Sequence, residues 1–213
     1  MQDILIYGAG GFGREIACML DSINEINHQW NLLGFIDDVV NKGSTSRYGK
    51  VLGNIDVLNK WPDKVAVAMA IASPKILKSL TEKIQNDMVW FPNILAPNVR
   101  VFDPNAFQMG KGNLIFFGCR LSCDVQIGNF NIFNGAVSLG HDVSLGSCNV
   151  LGPSVRISGD CRVGDNNFFG VNSVLLQGHK IGNNTRIGAG SVVIKNTRDG
   201  FLYLGNPAKR IIQ

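Results

Sequence analysis

Every sixth residue from Met109 to Ile187 is apolar, fourteen positions without a slip: Met109, Ile115, Leu121, Ile127, Phe133, Leu139, Leu145, Leu151, Ile157, Val163, Phe169, Leu175, Ile181 and Ile187. Neither a helix nor an ordinary strand repeats at six. Six is the period of a parallel β-helix, in which each hexad forms one flat side of a triangular coil and sends its first side chain to the axis. Three hexads close a coil, so this stretch makes about 4.7 coils, with residues eighteen apart stacked at roughly 4.8 Å. Gly follows the apolar residue in nine of the hexads, where a corner bend leaves no room for a Cβ.

That ruler sorts the chain into columns. Asn113, Asn131, Asn149 and Asn167 share the inward fifth position of their hexads, and amides stacked at strand spacing are expected to hydrogen-bond from coil to coil. Val125, Val143 and Cys161 lead to His179 in the same column, which predicts a buried or corner histidine with a polar partner. Asp124, Asp142 and Asp160 form a ladder whose charges, roughly 5 Å apart, require water, a cation or an imidazolium between them. His141 adjoins that ladder and points outward at a corner, with Cys123 one coil below and Gly159 one coil above. The spacing predicts open space at Gly159 with its N–H free for a ligand, and an acidic column that fixes the His141 tautomer and raises its basicity.

The amino-terminal third reads differently. An apolar run Ile4 to Tyr7 ends in Gly8-Ala-Gly10-Gly11-Phe12-Gly13-Arg14, and Ile16, Ala17, Leu20 and Ile23 then recur at helical spacing. A second run, Leu32 to Ile36, ends in Asp37-Asp38. A third, Val65 to Ile71, meets Ser73-Pro74, where the proline opens a helix, and a fourth, Met88 to Phe91, precedes Pro92. This alternation predicts a small parallel α/β sheet over 1–92, Rossmann-like, and the hexad period an all-β parallel helix over 93–213. The glycines satisfy GxGxxG, yet a dinucleotide requires two mononucleotide halves and the chain supplies one, so one nucleotide fits and NAD does not.

Composition narrows the function classes. Five cysteines without CxxC spacing argue against disulfides, and a net charge of +4 spread along the chain gives little support for a nucleic-acid groove. No apolar run approaches the ~20 residues of a membrane span, and the start is read as a strand rather than a leader, which predicts a cytoplasmic protein. With only His28, His141 and His179, the three converging imidazoles of a β-helical zinc site are missing, so no metal is expected.

GAGGFGRE, GFIDD, SLGHDVSLG, IGAGSVVIKN and GNPAKRI together resemble, over essentially the full chain, the bacterial sugar acyltransferases. These include the sialic-acid O-acetyltransferases and the N-acetyltransferases of nucleotide-linked 4-amino-4,6-dideoxysugars. The resemblance implies the left-handed coil, a homotrimer, acetyl-CoA in the groove between subunits, and a UDP- or dTDP-linked amino sugar on the amino-terminal domain. It implies His141 as general base oriented by Asp142, and Gly10, Gly11, Phe12 and Gly13 on the phosphate side. It also implies Asp37 and Asp38 at base and ribose, Ser73 at the turn after the third strand, and Asn134 near the sugar. Gly159, Val171 and Ala189 fall where the pantetheine arm is contacted, and Lys209 with Arg210 near the nucleotide end of CoA.

Two departures stand out. A second histidine, common nine residues after the first, is replaced by Val150, so another group must hold the thioester oxygen. The Gly-Asn turn after the third strand is Ala72-Ser73 here, with Leu77 in place of an arginine. O-acetylation of a sugar or sialic acid is the nearest alternative, and a catalytically silent trimeric binding protein the next. A sugar nucleotidyltransferase would need a large triphosphate-binding domain that is missing.

Overall fold

The structure, a computed structural model, describes residues 1–211. Its first part is β1 (Gln2–Tyr7), α1 (Gly11–Asn24), β2 (Trp30–Ile36), β3 (Thr45–Ser46), β4 (Gly49–Gly53), α2 (Ile55–Asn59), β5 (Val65–Met69), α3 (Pro74–Lys83) and β6 (Val89–Trp90). The sheet order is β3-β4-β2-β1-β5-β6, parallel except for the β3–β4 hairpin. β1 and β5 are apolar at nearly every position because both of their faces are covered, and Ile4, Ile6, Val65 and Ala66 are fully buried. α1 closes one face with Ile16, Met19, Leu20 and Ile23.

The second part is a parallel coil of the left-handed type with three faces. The first face stacks Ile94–Leu95, Leu114–Ile115, Ile132–Phe133, Val150–Leu151, Phe168–Phe169 and Arg186–Ile187. The second runs from Arg100–Val101 through Ser138–Leu139 to Val192–Val193, and the third from Gln108–Met109 through Ser144–Leu145 to Lys180–Ile181. The third face has five strands and the second six, so there are five complete coils and part of a sixth. The chain then pairs Leu202–Leu204 with the first face and folds Lys209–Ile211 back against it.

The coil begins two faces, or two-thirds of a turn, earlier than the strict repeat indicates. Val101 and Met109 hold equivalent positions on successive faces but lie eight residues apart instead of six, and this two-residue insertion hides the first coil. The corner glycines also differ in role from the expectation of a bend. The left-handed backbone falls two residues after the glycine position, at Asp124 (φ 56°), Asp142 (φ 57°) and Asp160 (φ 53°), where a short polar side chain is tolerated. The glycines answer to the next coil: a Cβ on Gly128 would lie 2.7 Å from the Gly146 carbonyl oxygen.

The asparagine column behaves as its spacing predicts. Asn131 and Asn149 each donate Nδ2 to the Oδ1 of the asparagine one coil below, at 3.0 Å, and each also donates its backbone N–H there. All four asparagines are fully buried. Cys119, Cys148 and Cys161 are buried free thiols, and burial pushes Cys119 and Cys148 up to about 11.

The joint between the two parts has a sequence signature of its own, which the inward repeat does not reveal. On the first face the outward residue is apolar in each of the first five coils (Ile94, Leu114, Ile132, Val150, Phe168), whereas the other two faces carry mostly Arg, Gln, Lys and Ser there. The amino-terminal part covers this apolar face, and the two share one core. Phe12 stacks on Phe116 at 5.4 Å, and Phe91 meets Phe130 edge-on at 5.0 Å.

Candidate active site

His141 sits at the corner between the second and third faces. Asp142 donates its N–H to the Cys123 carbonyl at 3.0 Å, and Asp160 donates to the His141 carbonyl at 2.8 Å, so the corner is pinned to the coils on both sides. Asp142 Oδ2 lies 2.7 Å from His141 Nδ1, with the side chains 59% and 54% exposed. An ionised carboxylate only accepts, so Nδ1 carries the proton and Nε2 presents its lone pair. It is the sole contact at salt-bridge distance between a basic and an acidic side chain among the described residues.

Gly159 is not the open gap that the spacing suggests. The imidazole itself occupies that space, and a Cβ on Gly159 would fall 2.4 Å from Nε2 and 2.6 Å from Cε1. The room for a ligand lies outward, in a cleft of about 770 Å³ lined by His141, Asp124, Asp142, Asp160, Gln126 and Arg162. The acidic ladder therefore forms a wall of the same cleft as the candidate base. His179 is half-buried, and its side chain makes no hydrogen bond among the described residues, unlike the partnered histidine expected.

The glycine loop divides into two kinds of position. Gly8 has φ +110° and a Cβ there would meet the Ala70 carbonyl oxygen at 2.7 Å, while one on Gly13 would meet the Gly8 oxygen at 1.9 Å. Those two serve strand–helix packing. Gly10 has an ordinary φ of −73° and nothing within 4 Å of where a Cβ would stand, and Gly11 has only Arg14 Nη2 at 3.8 Å. Packing within the chain thus gives no reason for a bare backbone at Gly10 and Gly11, which is what close approach of a ligand requires. Phe12 has its ring against Phe116 of the coil, so only its backbone faces the loop's open side.

Asp37 and Asp38 stand at the carboxyl end of β2 but are already engaged. Asp37 Oδ2 accepts from Ala9 N–H at 2.8 Å, and Oδ1 accepts from Val39 and Val40 N–H at 2.8 Å each. Burial works against its charge, yet the three donors outweigh burial and hold the carboxyl below the usual carboxylate range. Asp38 accepts from the Tyr7 hydroxyl at 2.5 Å and from Ile55 N–H at 3.0 Å. Burial first, and then Asp38, raise the Tyr7 phenol well above its ordinary value. Asp37 thus braces the glycine loop, and Asp38 ties β1 to the start of α2 at the carboxyl end of the sheet.

The remaining candidates fall into separate places. Asn134 is half-buried one coil above Phe116, the ring on which Phe12 stacks, and donates Nδ2 to the Leu151 carbonyl at 3.1 Å. Ser73 precedes α3 without capping it and lines a cleft of about 510 Å³ with Lys75, Asn166, Phe168 and Arg186. Val171 (44% exposed) and Ala189 stack at the corner between the first and second faces, one side of the prism away from His141 and Gly159. Lys209 lies exposed on the terminal hairpin. A single chain therefore does not bring the proposed cofactor contacts together. Val150 is 1% exposed in the core between the two parts, so that position presents nothing to the His141 corner.

Two family models match the chain: the PglD N-terminal domain over residues 3–84, and the bacterial transferase hexapeptide (six repeats) over residues 160–195. The chain thus joins a PglD-type amino-terminal domain to bacterial transferase hexapeptide repeats. Among solved structures, a histidine-to-asparagine mutant of perosamine N-acetyltransferase from Caulobacter crescentus, in complex with CoA and GDP-perosamine, superposes with a TM-score of 0.90. The two are 24% identical over 100% of this chain and 98% of that one. WeeI from Acinetobacter baumannii AYE is 27% identical, with a TM-score of 0.88 over 99% of this chain and 100% of its own. The acetyltransferase domain of PglB from Neisseria gonorrhoeae FA1090, in complex with acetyl coenzyme A, is 24% identical, with a TM-score of 0.88 over 99% of each chain. No curated protein matches at the level of sequence. No helix among the described residues is long and apolar enough to cross a membrane.

Proposed function

We propose that the protein transfers the acetyl group of acetyl-CoA to the amine of a nucleotide-linked 4-amino-4,6-dideoxysugar for a surface glycan, with His141 as general base. The observation that carries this reading is the 2.7 Å contact between His141 Nδ1 and Asp142, which leaves Nε2 as the acceptor of a histidine that lines an open, acid-lined cleft. An amine attacks a thioester only when neutral and becomes cationic as it adds. His141 Nε2 takes the proton that the nitrogen loses as it bonds to the thioester carbon. It returns that proton to the sulfur when the C–S bond breaks. Asp142 offsets the positive charge on the ring between the two transfers.

Distribution of the site supports a homotrimer. His141 and Gly159 lie at one end of the second face, and Val171, Ala189, Asn134 and the glycine loop at the other. Copies related by an axis parallel to the coil bring the two corners together. Val171, Leu176 and Ile194, large apolar residues at least 37% exposed, border that face and are suited to burial between subunits.

Because Asp37 and Asp38 have internal partners, the bare backbone at Gly10 and Gly11 carries part of the recognition of the nucleotide. The test is acetyl-CoA turnover and thermal shift against UDP-, dTDP- and GDP-linked amino sugars, with sialic acid and free sugars as comparison. Stabilisation and turnover only with a non-nucleotide hydroxyl acceptor would replace this reading with O-acetylation, and neither with any acceptor would leave a silent scaffold.

A further inference from the structure

Beside the glycine loop, with Gly11 in its wall, lies a cleft of about 500 Å³ whose other lining residues have no part in the site described above. It is lined by Gly11, Arg14, Glu15 and Cys18 on the α1 side, and by Ser46, Arg47 and Tyr48 on the β3–β4 turn. The turn is tightly registered. Ser46 pairs with Gly49, Tyr48 donates its N–H to Ser46 Oγ at 3.2 Å, and the hairpin is pressed onto β2. A Cβ on Gly34 of β2 would meet the Lys50 carbonyl oxygen of β4 at 2.6 Å, and one on Gly49 would meet the Phe35 ring at 3.3 Å. Two glycines thus allow a close approach that fixes where the turn stands.

At its tip, Arg47 is fully exposed but not free to wander. Its guanidinium donates to the Tyr48 hydroxyl and lies over the Tyr48 ring, 4.7 Å from the centroid. Arg14 stands on the opposite wall with Nη2 3.8 Å from where a Cβ on Gly11 would stand. Neither guanidinium is in an ion pair among the described residues, although Glu15 lines the same cleft. Two preorganised, unpaired guanidiniums flank a bare backbone whose missing side chains the protein's own packing does not account for. That combination suits a ligand carrying phosphate oxygens, which guanidinium forks recognise bidentately.

We infer that Arg47, with Arg14 opposite, grips the phosphates of the nucleotide and sets the preference for a nucleoside diphosphate over an uncharged sugar. The inference rests on the reading that the amino-terminal part binds a sugar nucleotide, and it makes the hairpin turn a specificity element of that site. Arg47 holds the phosphates and takes no part in acyl transfer.

The experiment is calorimetric titration of UDP, dTDP, GDP and CDP, and separately of acetyl-CoA, into the full chain, R47A and R47K, at low and high salt. At least one diphosphate is expected to bind the parent. R47A is expected to weaken it about tenfold and to flatten its salt dependence, with acetyl-CoA affinity and melting temperature unchanged. R47K should recover part of the loss, because lysine keeps the charge but not the fork. A diphosphate that binds parent and R47A equally overturns the role of Arg47 and leaves the sugar-nucleotide reading intact. Absence of binding by every diphosphate to the parent removes both.

Discussion

The imidazole of His141 lies over the α-carbon of Gly159, so closely that a methyl group there would sit 2.4 Å from Nε2. Position 159 is thus where the ring rests, and its lack of a side chain sets the orientation of the candidate base. Gly159→Ala is expected to push the ring aside while leaving the coil intact, since the obstructing atoms belong to a movable side chain. Turnover should fall by about 10²-fold or more with a small change in melting temperature. Gly140→Ala is the contrast: its Cβ would meet the backbone nitrogen of Gly159 at 2.5 Å, and it should cost stability first. Steady-state kinetics and urea unfolding of the two variants separate the effects.

His141→Ala is expected to lose roughly 10² to 10⁴-fold in kcat while keeping acetyl-CoA affinity, which calorimetry reads directly. Asp142→Asn should lose less, because the amide still reaches Nδ1 but no longer dictates which nitrogen carries the proton. Imidazole ¹⁵N shifts report the tautomer, and an unchanged tautomer mixture with unchanged turnover would remove Asp142 from the orienting role.

The six-residue period, the columns eighteen residues apart and the outward placement of His141 were all legible because a β-helix is nearly one-dimensional: position along the chain gives position in space. The asparagine ladder follows from the same rule. The legibility ends where the rule is interrupted. Two extra residues between Val101 and Met109 conceal the first coil. The engagement of Asp37 with Ala9, Val39 and Val40, the Phe12–Phe116 stack and the approach of Arg47 to α1 depend on side-chain directions that no spacing encodes. The interdomain seam was written in the apolar outward residues Leu114, Ile132 and Val150, a third-hexad pattern superposed on the inward one.

Asp37 is expected to act on stability as well as on any ligand. Its folded-state carboxyl is held below its unfolded value, so its contribution is fully present above the unfolded pKa of about 3.9 and is lost as pH falls through the lower folded value. Asp37→Asn should cost about 1 kcal/mol or more at neutral pH, allowing for partial solvent exposure. The gap from the parent should narrow below about pH 4. Urea midpoints measured from pH 7 down to pH 3 give the comparison, and a gap that stays constant would mean the three backbone donors do not favour the charged form.

The resemblance to the sugar acyltransferases leads one to expect a second histidine at position 150, which makes Val150→His the natural attempt to supply one. The structure predicts the opposite of restoration. Val150 is 1% exposed and packs with Leu114, Ile132 and Cys148 beneath the amino-terminal part, facing away from the corner that carries His141. An imidazole there would be overpacked and would bury polar nitrogens with no partner waiting, a cost of about 2 kcal/mol or more. The variant is expected to melt lower and to gain no turnover, whereas Val150→Ile should be nearly neutral on both counts. Higher kcat in Val150→His without loss of stability would show that this position reaches the reacting groups, and that the joint between the two parts opens during turnover.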